Sequence, residues 1–154
     1  MLKNGNTLKE RLYQHCHQLL TERVIDAQNG MLAAQKDSNS ETKSSAGDKY
    51  ETGRAMAQLE KERHGRRRSE THDTLYVLEG IGLVEPEKEI ALGSLVQTNQ
   101  GLYFISVVLG RIELDGISYN IVSAESPIGM ELLGLEVGDE FVVRGREHSI
   151  LSID

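Results

Sequence analysis

The chain has 154 residues, with 24 acidic and 17 basic side chains and a formal net charge of -7. Independent binding to duplex DNA is not expected, because such binding depends on many phosphate contacts from Lys and Arg. One cysteine, Cys16, excludes an intrachain disulfide and favours a reducing compartment. With no apolar leader and no run of about 18 apolar residues, we expect a cytoplasmic protein with no membrane-spanning helix.

The first predicted element is a long helix over residues 1–36. Apolar residues recur through it in steps of three and four, at Tyr13, Cys16, Leu20, Val24, Ala27, Met31 and Ala34. Thr7 followed by Glu10 is the signature of a capping box, which marks a helix start. A helix with one apolar face needs a partner, so the pattern predicts packing against a second helix.

A polar segment over residues 37–47 predicts the bend that leads to this second helix. Ser45 is a candidate N-cap, with Asp48 in the first turn, where a negative charge suits the helix dipole. The alternative is a start at Ser38, with Glu41 as the partner in a capping box, which would move the bend earlier. Both starts remain open at this point.

The second helix is predicted from Asp48 to about Leu78, so that residues 1–80 form an antiparallel hairpin with its tip near residues 37–51. The pattern is that of a short coiled coil. Asp48 and Glu51 are three residues apart, so their carboxylates share one face if the helix begins near Asp48. Three basic residues surround this pair: Lys43, Lys49 and Arg54.

Residues 81–89 contain turn-forming Gly82 and Pro86 and are predicted to be a linker. After the linker the pattern predicts five strands, at Ile90–Gln97, Leu102–Leu109, Gly116–Val122, Phe141–Arg144 and His148–Ile153. Ser126 as N-cap and Pro127 at the first helical position predict a short helix that ends near Leu135. The predicted fold class is therefore α+β, with a helical hairpin followed by an antiparallel sheet domain over residues 90–154.

The sheet domain contains short sequence motifs, which we call phrases, in a definite order. They include Ile90–Val96 and a longer phrase from Ser126 to Asp139. The longer phrase has the pattern Ser-Pro-x-Gly-x-x-Leu-Leu-Gly-x-x-x-Gly-Asp. Its order and spacing resemble the C-terminal domain of the bacterial Gre transcript-cleavage factors. The resemblance implies an FKBP-like fold that serves protein docking. It also implies a set of residues that dock on RNA polymerase: Ser126, Pro127, Ile128, Gly129, Leu132 and Leu133.

The predicted hairpin also resembles the Gre arrangement. The family tip has the pattern Gly-Asp-x-x-Glu, which Gly47–Glu51 matches position for position. The chain departs from the family directly afterwards, because the family continues Glu-Asn-Ala-Glu-Tyr. Here Glu51 is followed by Thr52, Gly53 and Arg54.

The resemblance implies a protein that is not an enzyme by itself and that assists the active site of RNA polymerase. The tip would enter the secondary channel of the polymerase, where Asp48 and Glu51 would help to hold Mg²⁺ and position water for cleavage of backtracked RNA. The ion would be shared with the polymerase, and no cofactor of the protein's own is implied. Lys43, Lys49 and Arg54 would contact the RNA 3′ segment or the channel wall.

Two other hypotheses remain open. A regulator that docks in the same way would inhibit or modulate synthesis without cleavage, if its tip occupied the catalytic Mg²⁺ without positioning water. Alternatively, the sheet domain and its helical arm would be an interaction module for another partner. By local sequence alone, Asp48 and Glu51 also fit helix capping and weak exposed ion pairs with Lys49 or Arg54.

Overall fold

The computed structural model describes residues 7–41 and 47–154, apart from the side chains of residues 38, 40, 41 and 47–50. Two long helices come first, α1 over Leu8–Glu41 and α2 over Gly47–Ile81, and a short helix, α3, spans Pro127–Leu132. The strands are β1 (Leu95–Thr98), β2 (Gly101–Ser106), β3 (Gly110–Leu114), β4 (Ile117–Ser123), β5 (Glu140–Val143) and β6 (Arg146–Ile153). The predicted α+β class, with a helical hairpin ahead of a sheet, is confirmed. Within the described part of the chain, no helix is long and apolar enough to cross a membrane.

The chain divides into two compact units. The first unit joins Met1–His17 to Tyr76–Asp154, so it contains the sheet together with the base of each long helix. The second unit is Gln18–Leu75 and contains the remaining length of α1 and α2.

The predicted capping box at the start of α1 is confirmed. The backbone N–H of Thr7 donates to Glu10 Oε2 at 2.8 Å, and the backbone N–H of Glu10 donates to Thr7 Oγ1 at 3.1 Å. Two of the N–H groups that no helical carbonyl can reach are thereby satisfied. Residues 1–6, which the sequence pattern includes in the helix, lie outside the described residues.

The predicted end of α1 at residue 36 is wrong, because the helix continues to Glu41. The segment from Asp37 to Glu41 is polar but contains neither Gly nor Pro, so nothing in it breaks the helix. The side chain of Gln35 donates to Asn39 Oδ1 at 3.1 Å, one turn further on, which supports the added turn. The alternative start of the second helix at Ser38 is therefore also wrong, whereas the candidate N-cap Ser45 lies outside the described residues.

In the second unit, α1 and α2 pack antiparallel through small side chains. Gly30 lies against His64 so closely that an added Cβ would come within 2.6 Å of the ring. Five residues further along α1, Gln35 Oε1 accepts a hydrogen bond of 2.5 Å from Lys61, which lies three residues earlier in α2. Positions thus rise along one helix as they fall along the other. Among the described side chains of this unit, the buried ones are Leu20, Ala27, Ala34 and Ala57.

Of three apolar residues close together in α2, one faces α1 and two are exposed. Ala57 is buried against α1, whereas Met56 and Leu59 are 59% and 57% exposed. Neighbouring residues in a helix point about 100° apart, so one of these three residues faces the partner helix while the other two point away from it.

The six strands form one sheet in the order β3-β4-β2-β1-β6-β5. Neighbouring strands are antiparallel except for β2 and β4, which are parallel. Strand β3, whose five residues lie between two predicted strands, is not predicted from the sequence pattern. Strand β3 lies at the edge of the sheet and runs antiparallel to β4. Strand β4 therefore lies between β3 and β2 and runs in the same direction as β2.

The first predicted strand, Ile90–Gln97, is shorter in the structure because its beginning is a turn. Ser94 N–H donates to the carbonyl of Ala91 at 3.0 Å, and Ala91 N–H donates to Ser94 Oγ at 3.0 Å. Strand β1 starts only at Leu95. Part of the phrase Ile90–Val96 is therefore a reciprocally bonded turn.

The core of the sheet domain lies between α3 and the sheet. Its fully packed members come from the turn before β1, from three strands and from α3: Ile90, Val96, Ile105, Leu132 and Ile150. In the same unit, two hydrogen bonds join the beginning of α1 to the end of α2 and to the segment that follows α2. Lys9 Nζ donates to the carbonyl of Val84 at 2.7 Å, and Tyr13 Oη donates to the carbonyl of Leu78 at 3.4 Å.

Candidate functional site

The first turn of α2 contains the two carboxylates that the resemblance assigns to the hairpin tip. Because α2 begins at Gly47, Asp48 and Glu51 lie one turn apart on the same face. The side chain of Glu51 is exposed. The side chains of Asp48 and Lys49 are not among the described ones.

Two further tip residues have basic side chains. Lys43 lies outside the described residues, and the side chain of Arg54 is exposed. The contacts predicted for Lys43, Lys49 and Arg54 stay predictions.

This pair of carboxylates has the chemistry for a shared Mg²⁺ ion. Mg²⁺ takes oxygen ligands in an octahedral shell and keeps several waters, so one or two protein carboxylates are a usual contribution. Exposed Glu51, one turn from Asp48, fits such a partial shell. The remaining ligands would have to come from a second molecule.

The segment Ser126–Gly129 forms the N-terminus of α3, and the backbone explains its residue types. Ser126 Oγ accepts from Gly129 N–H at 3.0 Å and donates to the carbonyl of Ser123 at 2.7 Å. Pro127 occupies the first helical position, where a backbone N–H has no helical acceptor. A Cβ on Gly129 would lie 2.1 Å from the carbonyl oxygen of Ser123, so this position requires glycine.

The six predicted docking residues fall into two groups. Three of them build α3 through its cap, its close backbone contact and its core contact: Ser126, Gly129 and Leu132. The other three keep apolar side chains at least partly exposed to solvent: Pro127, Ile128 and Leu133. Met130, which is 63% exposed, extends this apolar surface. The docking role of these residues stays a prediction.

Beside α3 lies a groove of about 620 Å³ that is not predicted from the sequence pattern. We call it the α3 groove, and the residues that give it its chemistry are Tyr103, Ile128, Val143, Arg144, Arg146 and His148. One signal for it exists in the sequence. Arg146 and His148 are two residues apart in a strand, so they lie on one face of β6.

The side chain of His148 forms part of the wall of the α3 groove. The residue is buried, with 5% of its own surface exposed. Its ring stacks on Phe141 with centroids 4.8 Å apart, and the ring of Tyr103 approaches it edge-on at 6.2 Å. Its Nδ1 has no hydrogen-bond partner among the described residues. Burial, together with the positive charge of Arg146, lowers the pKa of His148 below its ordinary value of 6.5, so the ring is neutral at pH 7.

The β5–β6 hairpin turns through Arg144 and Gly145, whose φ angles are 51° and 76°. Positive φ at both central residues defines a type I′ turn, which favours Asn-Gly or Asp-Gly. The β3–β4 hairpin follows that preference, with Asp115 and Gly116 at 53° and 77°. Arg144 departs from it, because the Cβ of an arginine is strained in this left-handed conformation.

Comparison with known proteins gives no family assignment. Neither a model of a known protein family nor a curated protein matches the chain. The resemblance to Gre factors therefore rests on the motifs in the sequence, and the function that it implies is a proposal.

Replacement of Gly129 by Ala is expected to destabilise the sheet domain by about 3 kcal/mol. The added methyl group meets the backbone carbonyl of Ser123, which cannot move without disturbing β4. Urea unfolding followed by circular dichroism measures the loss.

Gly80→Ala is the matched control for this substitution. Gly80 lies in α2, and an added Cβ there meets no heavy atom within 4 Å. Alanine is the better helix former, so this variant should be more stable by about 0.5 kcal/mol. Equal stability of the two variants would contradict the close contact at Gly129.

Acidification is expected to destabilise the sheet domain through His148. Because the pKa of His148 is lower in the folded chain than in the unfolded chain, the unfolded chain binds more protons as the pH falls through about 6.5. The contribution of neutral His148 to stability is present above that pH and is lost as the pH falls towards the folded-state pKa. Urea midpoints measured from about pH 7.5 to about pH 5 test this.

His148→Phe isolates this effect from the other histidines, which both proteins retain. Phenylalanine keeps a ring to stack on Phe141 but has no group that titrates. The midpoint of the variant should fall less on acidification than that of the natural chain. Parallel pH profiles would contradict the prediction.

Proposed function

We propose that this protein is a Gre-like transcription elongation factor that binds RNA polymerase and stimulates cleavage of backtracked RNA. The observation that carries the proposal is the start of α2 at Gly47, which sets Asp48 and Glu51 one turn apart on one face. The same two residues fit the family pattern at the tip, and the phrase from Ser126 to Asp139 fits the family's docking domain. The tip of the hairpin inserts into the secondary channel.

The protein contributes side chains to a reaction that the polymerase performs. Bound Mg²⁺, shared with the polymerase, would stabilise charge on the attacking and leaving oxygens of the phosphodiester. Asp48 is the more direct metal ligand, and Glu51 holds coordinated or attacking water. The basic residues Lys43, Lys49 and Arg54 contact the RNA 3′ segment or the channel wall, where positive charge suits phosphate.

The sheet domain docks on the polymerase. Pro127, Ile128 and Leu133 offer apolar side chains at and around α3. The Ser126 cap and the burial of Leu132 keep α3 in place, so this surface is formed before a partner arrives. Preformed apolar surface favours association, since less side-chain entropy is lost on binding.

A second candidate function is inhibition or modulation of the polymerase in the same channel without cleavage. It is favoured by the residues after Glu51, because Arg54 stands where the family pattern has its second glutamate. Exposed Arg54 adds a positive charge where the family has a negative one, one turn beyond Glu51. A tip of this kind would occupy the site without positioning water.

The test is RNA shortening in stalled, backtracked RNA polymerase from the same source. The natural chain should accelerate shortening, and Asp48→Ala or Glu51→Ala should reduce the acceleration about a hundredfold, as removal of a charge-stabilising group does elsewhere. Glu70→Gln is the matched control, since it removes an exposed carboxylate from α2 far from its first turn. This control should retain full activity.

Binding to the polymerase, measured in parallel, separates the alternatives. Binding with inhibition and no shortening would replace the cleavage function by the second candidate. Absence of binding would overturn both and leave an interaction module for another partner.

A further inference from the structure

The α3 groove combines apolar walls with a positively charged rim. Tyr103, Ile128 and Val143 supply apolar surface, and buried His148 completes the wall as a neutral ring. Arg144 and Arg146, which we call the arginine rim, are both exposed. The volume of the α3 groove, about 620 Å³, is in the range of sites that hold a small molecule or a few side chains.

No acidic side chain among the described residues balances the arginine rim inside the groove. The lining contains no carboxylate, and neither Arg144 nor Arg146 forms an ion pair with a described residue. Glu147 lies between Arg146 and His148 in β6, so its side chain points to the opposite face of the strand. The groove therefore has a local positive charge on a chain of net charge -7.

The conformation of Arg144 is unfavourable for folding and calls for an explanation. Two hairpins of the same sheet use the same turn, and the other one has the favoured Asp115-Gly116. Asparagine or aspartate at position 144 would relieve the strain, but would remove the positive charge from the rim. Strained backbone conformations of this kind cluster at functional sites.

We propose that the α3 groove binds an acidic peptide segment of a partner protein, with a carboxylate at the arginine rim and an adjacent apolar side chain against the walls. This deepens the proposed function and rests on it for the source of the segment, which is RNA polymerase. Arginine is suited to this role, because its planar guanidinium pairs with a carboxylate through two hydrogen bonds.

The charges and the walls together select a peptide over other anions. Salt screens charge over about 8 Å at physiological ionic strength, so acidic groups far from the groove contribute little to the potential at the arginine rim. A small inorganic anion would leave the apolar walls uncovered. Nucleic acid would need more phosphate contacts than two arginines provide on a chain of this net charge.

Fluorescence anisotropy of the full chain tests the proposal with a short labelled peptide that alternates Glu and Leu. Its counterpart with Gln in place of each Glu has the same length and apolar content. The acidic peptide should bind more tightly than the Gln peptide, and added salt should weaken its binding. Arg146→Gln should weaken the binding of the acidic peptide about tenfold, as expected for loss of a charged hydrogen bond.

Arg144→Asn gives a test in which weaker binding cannot be explained by misfolding. Asparagine suits the first position of the type I′ turn, so this variant should melt at a higher temperature while it binds the acidic peptide more weakly. Arg111→Gln is the matched control, because it removes the same charge from β3 in the same unit. Its affinity should equal that of the natural chain.

Equal affinity for the acidic and Gln peptides, or for a single-stranded RNA of equal charge, would overturn the proposal. So would unchanged affinity in both Arg144→Asn and Arg146→Gln.

Binding to purified RNA polymerase separates this proposal from the proposed function. If both rim variants lose affinity for the peptide and for the polymerase, both proposals are supported. If the acidic peptide binds and the polymerase does not, the proposed function fails, and the groove is an acidic-peptide site whose partner is a protein other than the polymerase. If the polymerase binds the rim variants and the natural chain equally, the groove proposal fails and the proposed function stands.

Discussion

The close approach of Gly129 to the backbone of Ser123 is the contact on which the accessible surface of the sheet domain depends. It brings the first turn of α3 against the end of β4, and the Ser126 hydroxyl is hydrogen-bonded to both residues. Leu132 is thereby held in the core, while Ile128 remains at the wall of the α3 groove. A side chain at position 129 would displace α3 and, with it, one side of the groove.

The phrase that resembles Gre factors is in large part a folding signal. Gly134 N–H donates to the carbonyl of Ile90 at 2.8 Å, and Asp139 Oδ2 accepts from Glu136 N–H at 2.8 Å. These bonds, like the Ser126 cap, satisfy backbone groups and shape turns. The residues that give this groove its charge, Arg144 and Arg146, lie outside the phrase. The residues proposed to select a partner thus lie outside the motif that carries the resemblance.

The two compact units depend on different physical effects. The second unit is built from helices whose contact is made by small residues such as Gly30, Ala34 and Ala57, so little apolar surface is buried per residue. The first unit has a true core between α3 and the sheet. The proposed chemistry divides in the same way. Under the proposals, carboxylates near the start of α2 would act in the reaction, and the groove beside α3 would recognise a partner.

The sequence alone determined the features that arise from residues close together in the chain. The capping box of Thr7 and Glu10 and the cap of α3 at Ser126 follow from contacts over three residues, so local pattern predicts them. Only the tertiary structure decided the parallel pairing of β2 with β4 and the position of β3, which depend on the path of the chain. The α3 groove belongs to the second kind. It brings Tyr103 and Ile128 together with Arg146, and contacts across such distances in the chain depend on sheet order, which local pattern does not encode.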